Sequence, residues 1–310
     1  MRMERVRELA QRFGLLVSFL LLCAVLTILS DRFLTVSNIV NVLRQSTING
    51  IIAIGMTYVI LTAGIDLSVG AVLALCTVVT ADLLQQGVAV GLAVSGGLGL
   101  GVVLGLINGL ITTKANVPPF VTTLGMMTVA RGLALTYTQG RPITGLPDAF
   151  RFMGTGSLGP VPMPIVIAAV AFLVGYILLT RTEVGKYILA LGNNPVAARY
   201  AGVAVDRYTA FVYAVSGMLS ALAGMILVAR LNSAQPTAGL AYEFDAIAAV
   251  VVGGTSFAGG EGGLGGTLLG VLVIAVLNNG LNLLDVSSFY QPVVTGIVIA
   301  LALLLYRTIR

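Results

Sequence analysis

Long apolar runs separated by short polar segments dominate the chain. A helix needs about 20 residues to cross the hydrocarbon core of a bilayer, and ten runs meet or approach that length. These predicted spans are 13–30, 48–65, 67–84, 88–112, 119–138, 163–180, 208–230, 244–259, 263–284 and 290–306. Segment 33–47 is predicted to be either an interfacial helix or the first part of a broken second span. The pattern predicts an all-α, polytopic integral membrane protein in which residues 1–310 form one domain.

Composition supports the membrane class. The 310 residues are 57% hydrophobic and only 9% charged, whereas a soluble domain carries about 25% charged residues. The chain has no histidine, and Cys23 and Cys76 lie inside apolar runs, where they are expected to be small hydrophobic residues and not a disulfide or a metal pair. No metal site is expected. The net charge is +5, but the sequence shows no basic patch of the kind that nucleic-acid binding requires.

The distribution of positive charge predicts the topology. The N-terminus carries four arginines before an apolar run that is long for a cleaved signal peptide, so it is predicted to be a retained first span with a cytoplasmic start. With ten spans, both termini and the loop 181–207 then share the cytoplasmic side, together with eleven of the seventeen basic residues, as the positive-inside rule requires. These are Arg2, Arg5, Arg7, Arg12, Lys114, Arg181, Lys186, Arg199, Arg207, Arg307 and Arg310. The Gly- and Pro-rich segment 139–162 is predicted to be an external loop.

The loop 181–207 is the longest polar interruption, and its middle has the signals of a very short helix. Asn194 is a suitable N-cap, Pro195 suits the first helical position, and Gly202 supplies a left-handed residue after the last turn. Because two turns of helix are marginal in water, flanking spans or a partner must hold this one. The loop is therefore either a plain solvated connection or a docking element for a cytoplasmic partner.

Glycines recur every four residues on two predicted spans. They are Gly97, Gly101, Gly105 and Gly109 on the fourth span and Gly262, Gly266 and Gly270 on the ninth. A face without side chains allows helices to pack closely in lipid. The two segments also have similar sequences, GGLGLGVVLGLINGL at 96–110 and GGLGGTLLGVLVIAVLNNGL at 262–281. In this topology they cross the membrane in opposite directions. Either the similarity is a chance match between glycine-rich sequences, or spans 2–5 and 7–10 form the inverted repeat of an alternating-access transporter.

Few residues offer catalytic chemistry. Gly185-Lys186 lacks the rest of a phosphate-binding loop, and no hydrolase motif is present, so neither an enzyme nor a nucleotide cofactor on this chain is expected. Arg131 lies well within a span and is either a functional residue or a structural one that pairs with an acid or reaches the outer surface. The acids near spans are placed at span ends, with none clearly near the midplane as a proton-coupled carrier requires. They are Asp66, Asp82, Glu243, Asp245 and Asp285.

Several long segments carry a family resemblance. They are LTAGIDLSVGAVLAL (61–75), PFVTTLGMMTVARGL (119–133), YILALGNNPVAARYAGV (187–203), ARLNSAQPTAGLAYEFDAIAAVVVGGTSFAGGEGGLGGTLLG (229–270) and LNNGLNLLDVSSFYQ (277–291). Together they resemble the ribose-type permeases of bacterial monosaccharide ABC importers, over nearly the whole chain.

The resemblance implies a ten-span permease that works as a homodimer in the inner membrane, with a cytoplasmic ATPase that carries the ATP and Mg and a periplasmic sugar-binding protein. It favours a pentose such as ribose. The family's coupling helix maps onto 193–202, with Asn193, Asn194, Pro195, Ala198, Arg199, Tyr200 and Gly202 as the residues expected to meet the ATPase.

A neutral, hydroxylated sugar needs a wetted route with hydrogen-bonding groups. Polar residues at or near span ends are candidates for that route or its gate, namely Asn108, Asn278, Asn279, Asn282 and Gln291. Each is alternatively a helix cap or an interhelical hydrogen bond. The alternative function is a secondary transporter or channel for a small neutral solute that works without an ATPase. A purely structural membrane scaffold is a third possibility.

Overall fold

The computed structural model describes residues 2–291, 293–294 and 296–297, with the side chains of residue 14 onward except 288. The described part is predominantly helical, and most of the predicted tenth span, 290–306, lies outside it. The helices are α1 Arg2–Leu29, α2 Val36–Leu61, α3 Val69–Gln85, α4 Val90–Lys114, α5 Pro119–Thr138, α6 Asp148–Thr155, α7 Met163–Arg181, α8 Glu183–Asn193, α9 Pro195–Tyr200, α10 Val205–Leu231, α11 Tyr242–Val252 and α12 Leu264–Leu283. A single 3₁₀ turn follows at Ser288–Tyr290.

Among the described residues, four helices are long and apolar enough to cross a membrane, which supports the helical membrane class. They are α4, α7, α10 and α12; the apolar helical segments 14–29 and 69–85 are shorter. In α2, Arg44, Gln45 and Asn49 interrupt the apolar run. Segment 33–47 is not a separate interfacial helix, because α2 runs without a break from Val36 to Leu61.

Two predicted segments, the span 244–259 and the external loop 139–162, differ from the structure in their helix and strand content. The predicted span 244–259 is helical only to Val252, and the chain then continues without a helix to Leu264. The predicted external loop 139–162 is not irregular, because it contains α6 and three two-residue strands, β1 Ile143–Thr144, β2 Ser157–Leu158 and β3 Val161–Pro162. Strand β1 pairs antiparallel with β4, Ser233–Ala234, which follows α10, and β2 pairs with β3.

Helices α2 and α10 form the centre of the bundle. The second half of α2 is almost entirely buried, and so is most of α10. Because lipid tails are as apolar as leucine, such burial stabilises through close packing and interhelical hydrogen bonds more than through removal from water. The two central helices are therefore the ones on which the others are assembled.

The four glycines of α4 that form the predicted face, Gly97, Gly101, Gly105 and Gly109, lie on contacts that leave no room for a side chain. A Cβ at Gly105 would collide with the carbonyl of Tyr213, and one at Gly109 would collide with the Ala210 backbone. At Gly101 the obstacle is the carbonyl of Gly217, so the backbones of α4 and α10 meet directly. A Cβ at Gly97 would meet Thr80 and Met225.

The glycines near α12 divide into two groups. A Cβ at Gly266 would collide with the Gly253 carbonyl, and one at Gly270 would collide with the Ala249 carbonyl, which brings α12 against α11 and the loop after it. Gly262 is not part of that helical face. It precedes α12 in the loop, with a φ of +131° and Thr255 where a Cβ would be. The predicted four-residue pattern on the ninth span therefore fails at Gly262.

The helix termini lie at two opposite ends of the bundle. At the first, Lys114 of α4 lies beside Asp206 of α10, and the end of α2 contacts residue 260; we call this the α9 end. At the second, β1 pairs with β4 and Asn38 of α2 contacts Asn279 of α12; we call this the strand end. Helix α10 joins the two ends, and it rises about 35 Å between Arg207 and Arg230 at 1.5 Å per residue.

The glycine contacts generate a stability prediction. Gly105→Ala is expected to destabilise the folded protein by about 1–3 kcal/mol, because the added methyl group forces α4 away from α10. Gly99→Ala is the matched control, since it lies on the same helix with no atom within 4 Å of its Cβ position. Thermal unfolding of the purified variants in detergent measures the difference. Equal melting temperatures would show that the close approach is unimportant.

Candidate functional site

Helix α9 is present with both expected ends. Asn194 Oδ1 accepts hydrogen bonds from the backbone N–H groups of Val196, at 3.1 Å, and Ala197, at 2.9 Å. Pro195 occupies the first helical position. Gly202 has a φ of +87°, and beyond it Val203 N donates to Ala198 O at 3.0 Å. These bonds satisfy backbone groups that a two-turn helix otherwise leaves open.

One face of α9 points away from the protein. Tyr200 is 90% exposed and Val196 is 62% exposed, whereas Ala198 is buried against the bundle. An exposed tyrosine and an exposed aliphatic side chain on adjacent turns are typical of an interface that another protein covers. Arg199 lies beside them and donates to Asp206 Oδ1 at 2.7 Å.

Asp206 attaches α9 to the bundle. Its other carboxylate oxygen accepts from Lys114 Nζ at 3.1 Å, so one carboxylate links the end of α4, the start of α10 and α9. Exposed ion pairs contribute little stability individually. Their value here is geometric, because they fix the direction in which α9 presents its outer face.

Helix α8 was not predicted, and it carries α9. Thr182 caps its start by accepting from Gly185 N at 3.4 Å, and Ile188 and Leu191 are buried. At its end, Gly192 lies directly against Leu61 O and Gly260 N, which themselves form a 2.9 Å hydrogen bond. Three backbones meet there without intervening side chains. Asn193 adds donors to Leu189 O at 3.0 Å and Gly260 O at 3.5 Å.

A buried polar network surrounds Asp66. Its carboxyl accepts from Ser68 Oγ at 2.6 Å and Ser68 N at 3.0 Å, and from Ser216 Oγ of α10 at 2.8 Å. Asn108 of α4 donates to Ser68 Oγ at 2.9 Å. Asp66 lies between α2 and α3, at a span end as predicted, but solvation does not explain it there. The loop after α2 folds back into the bundle, so that this acid is fully buried beside Ser216 in the interior of α10.

Asn108 and Asn279, two of the five candidate pathway residues, form side-chain hydrogen bonds within the bundle. Asn108 is sealed inside the Asp66 network with no exposed surface. Asn279 exchanges two side-chain hydrogen bonds with Asn38 of α2, at 3.0 and 2.9 Å. Both match the interhelical alternative that the sequence left open.

Arg131 fastens the segment that leads into α11. Its Nη1 donates to Pro236 O at 2.6 Å and to Ala238 O at 2.8 Å, and the carboxylate of the buried Glu243 attracts it electrostatically. Carbonyls of a non-helical segment need such donors inside a membrane protein. This geometry fits the structural alternative for Arg131, with an acid as partner.

The other three candidates, Asn278, Asn282 and Gln291, line one polar cavity of about 430 Å³ at the strand end. The same cavity is lined by charged residues that the sequence analysis did not select for the pathway, namely Arg44, Arg230 and Asp245. A larger cavity of about 1310 Å³, between α4, α7 and α10, is mainly apolar. A hydroxylated solute fits the chemistry of the polar cavity and not that of the larger one.

The elements described so far define a class of protein. A bundle of membrane helices with a polar cavity at one end and an exposed, capped helix at the other is suited to transport. Residues 38–303 match the family described as "Branched-chain amino acid transport system / permease component". The chain belongs to this family of permeases, which are transport subunits and not enzymes.

Individual relatives match over nearly their full length. The chain is 52% identical to the ribose import permease protein RbsC of Bacillus subtilis over 299 residues, covering 96% of this chain and 93% of the relative. It is 48% identical to RbsC of Escherichia coli K12, covering 93% and 91%. The D-allose transport system permease protein AlsC of the same strain is 38% identical, covering 90% and 86%. No solved structure matches. The resemblance to ribose-type permeases is thus confirmed.

The Asp66 network generates a second prediction. Ser216→Ala is expected to lower the free energy of unfolding by about 1–3 kcal/mol, because it removes a donor from a buried carboxyl group. Ser220→Ala, one turn further along α10, is the control. Its hydroxyl bonds only to the Ser216 carbonyl, so its loss is expected to change little. Thermal unfolding in detergent compares the two. The prediction fails if Ser216→Ala has the same melting temperature as Ser220→Ala.

Proposed function

We propose that this chain is the permease subunit of an ATP-driven importer for a monosaccharide, with ribose favoured. Relatives named as ribose import permeases, 48–52% identical over more than nine-tenths of this chain, support the proposal. The family description names branched-chain amino acids, and the relatives name sugars. The relatives carry more weight on the solute, because they resemble this chain closely along their whole length.

The α9 end is proposed to face the cytoplasm. Among the described side chains, five basic residues stand against three acidic ones at this end, namely Lys114, Arg181, Lys186, Arg199 and Arg207 against Glu183, Asp206 and Glu261. At the surface of the strand end the balance is four basic against four acidic, namely Arg32, Arg44, Arg141 and Arg151 against Asp31, Asp82, Asp148 and Asp285. Cytoplasmic segments carry the excess of Lys and Arg. The strand end then faces the periplasm, and the protein lies in the inner membrane.

Ten crossings and an inverted repeat form part of the proposal. Helices α1–α5, α7, α10, α11 with its following loop, and α12 alternate between the two ends. The predicted tenth span, 290–306, lies mostly outside the described residues. Helix α4 packs on α3 and α10, whereas α12 packs on α11 and α2. Exchanging α2 with α10, α3 with α11 and α4 with α12 converts one set of contacts into the other. Such correspondence between halves is typical of transporters built from inverted repeats.

The exposed face of α9 is the observation that carries the proposed mechanism. A cytoplasmic ATPase binds there, in contact with Tyr200 and Arg199, and carries the ATP and Mg. A second copy of the permease provides a second α9, and nucleotide binding draws the two copies together. The displacement passes through α8 to the junction of Leu61, Gly192 and Gly260, which lies at the end of central helix α2.

A stand-alone secondary transporter or channel remains the alternative. It requires no protein partner at α9, so it gives no reason for an exposed tyrosine on a helix that is capped at both ends and fastened by Asp206. It also disagrees with relatives named as import permeases and ABC transporter permeases. Import that persists in vesicles without ATPase or ATP would favour it.

The double variant Arg199→Ala, Tyr200→Ala tests the coupling role. It is expected to leave the permease folded but to weaken ATPase binding by at least about tenfold, because exposed Tyr and Arg are the residue types that most often dominate interfaces. Co-elution with the ATPase and sugar-stimulated ATP hydrolysis in reconstituted vesicles are the measurements. Arg181→Ala, exposed at the same end but outside α9, is the control. Unchanged hydrolysis in the double variant would refute the coupling role.

A further inference from the structure

The polar cavity at the strand end holds charged groups of both signs. It lies between α2, α10, α11 and α12. Arg230 near the end of α10 and Asp245 in the first turn of α11 are half-buried on its walls, and Arg44 of α2 lies at its exposed rim. Its volume of about 430 Å³ is within the usual range of small-molecule sites, roughly 300–1,000 Å³.

These charges do not neutralise one another directly. Within the part of the chain that the structure describes, Asp245 forms no ion pair, and its carboxylate accepts one side-chain hydrogen bond, from Asn49 Nδ2 at 3.2 Å. Neither guanidinium donates a hydrogen bond to a described residue. Asn278 lines the same cavity, and its Oδ1 also lacks a partner there. Half-buried charges normally find partners, so this arrangement has hydrogen-bonding capacity that a ligand can use.

We propose that this cavity is a monosaccharide subsite within the permease itself. A sugar hydroxyl donates one hydrogen bond and accepts others, so a polyol can donate to Asp245 while it accepts from Arg230 and Arg44. A cation would be repelled by the two arginines, and an anion bound to the arginines would offer no donor to the Asp245 carboxylate, which accepts a side-chain hydrogen bond from Asn49. A neutral polyol satisfies both kinds of group, and Asn278 offers it a further acceptor.

The location suits delivery of the sugar. This inference rests on the proposed function, in which the strand end faces the binding protein that releases the sugar. The residues come from both proposed halves of the protein, since Arg44 and Asn49 belong to α2, and Arg230, Asp245 and Asn278 belong to α10–α12. A relative movement of the two halves therefore changes the spacing of the hydrogen-bonding groups, which allows the subsite to release its ligand.

Import per ATP hydrolysed tests the subsite in the complete transporter. Asp245→Asn and Asn278→Leu nearly preserve side-chain volume, and each is expected to lower the sugar imported per ATP by about tenfold, as expected for losing a hydrogen bond to the sugar. Asp31→Asn, exposed at the same end but outside the cavity, is expected to match the wild type. Co-elution of each variant with the ATPase shows that it is assembled. Wild-type import ratios in both cavity variants would overturn the subsite.

Cysteine protection tests occupancy directly and does not depend on how well a variant transports. In a chain with Cys23 and Cys76 replaced by alanine, Ser46→Cys places a small thiol in the cavity wall, and Ser37→Cys places one nine residues earlier on α2, outside the cavity. A water-soluble thiol reagent is applied with and without saturating ribose. Ribose is expected to slow labelling at position 46 by at least about fivefold and not at position 37, by excluding the reagent from a filled cavity.

The outcomes separate the subsite from the proposed function. Equal labelling rates at position 46 with and without ribose, in a preparation that imports ribose, would overturn the subsite and leave the importer intact. Protection by ribonate, a sugar acid, but not by ribose would show an anion site and would also overturn it. If the wild-type complex fails to import any sugar although it hydrolyses ATP, the proposed function fails, whatever the labelling shows.

Discussion

The direct contact between the backbones of α4 and α10 is the constraint on which the other features depend. Glycines at 101, 105 and 109 leave α10 no alternative position, and the same register brings Ser216 to Asp66 and Asp206 to Lys114. In a bilayer, where packing replaces the hydrophobic effect as the main force between helices, such a contact fixes geometry as well as stability. The buried network in the bundle and the helix at its edge are both positioned by this pair.

Features encoded by neighbouring residues could be predicted from the sequence. The caps of α9 depend on Asn194, Pro195 and Gly202, each of which acts on backbone within a few residues of itself. The bounds of α5 followed from its apolar run, and the helix begins and ends as expected. The glycine face of α4 was visible because a four-residue spacing is a local pattern, although the helix that it contacts was not.

Features created by distant segments could not be predicted. The burial of Asp66 was not predicted, because the sequence does not show that the loop after α2 folds back towards α10. Gly262 has the correct spacing but lies before the helix, where it provides a positive φ. The polar cavity combines residues from α2, α10, α11 and α12, and its charged members were separately explicable as span-end residues. Only the tertiary structure shows that they share one space.

The junction of Leu61, Gly192 and Gly260 gives the protein a mechanical property. Because the backbones of Leu61, Gly192 and Gly260 touch without intervening side chains, a shift of α8 is expected to displace the end of α2 and the loop before α12 as well. Helix α2, and helix α12 that follows this loop, supply walls of the polar cavity at the strand end. The bundle is therefore stiff between its two ends, so that a force applied at the α9 end is transmitted to the strand end.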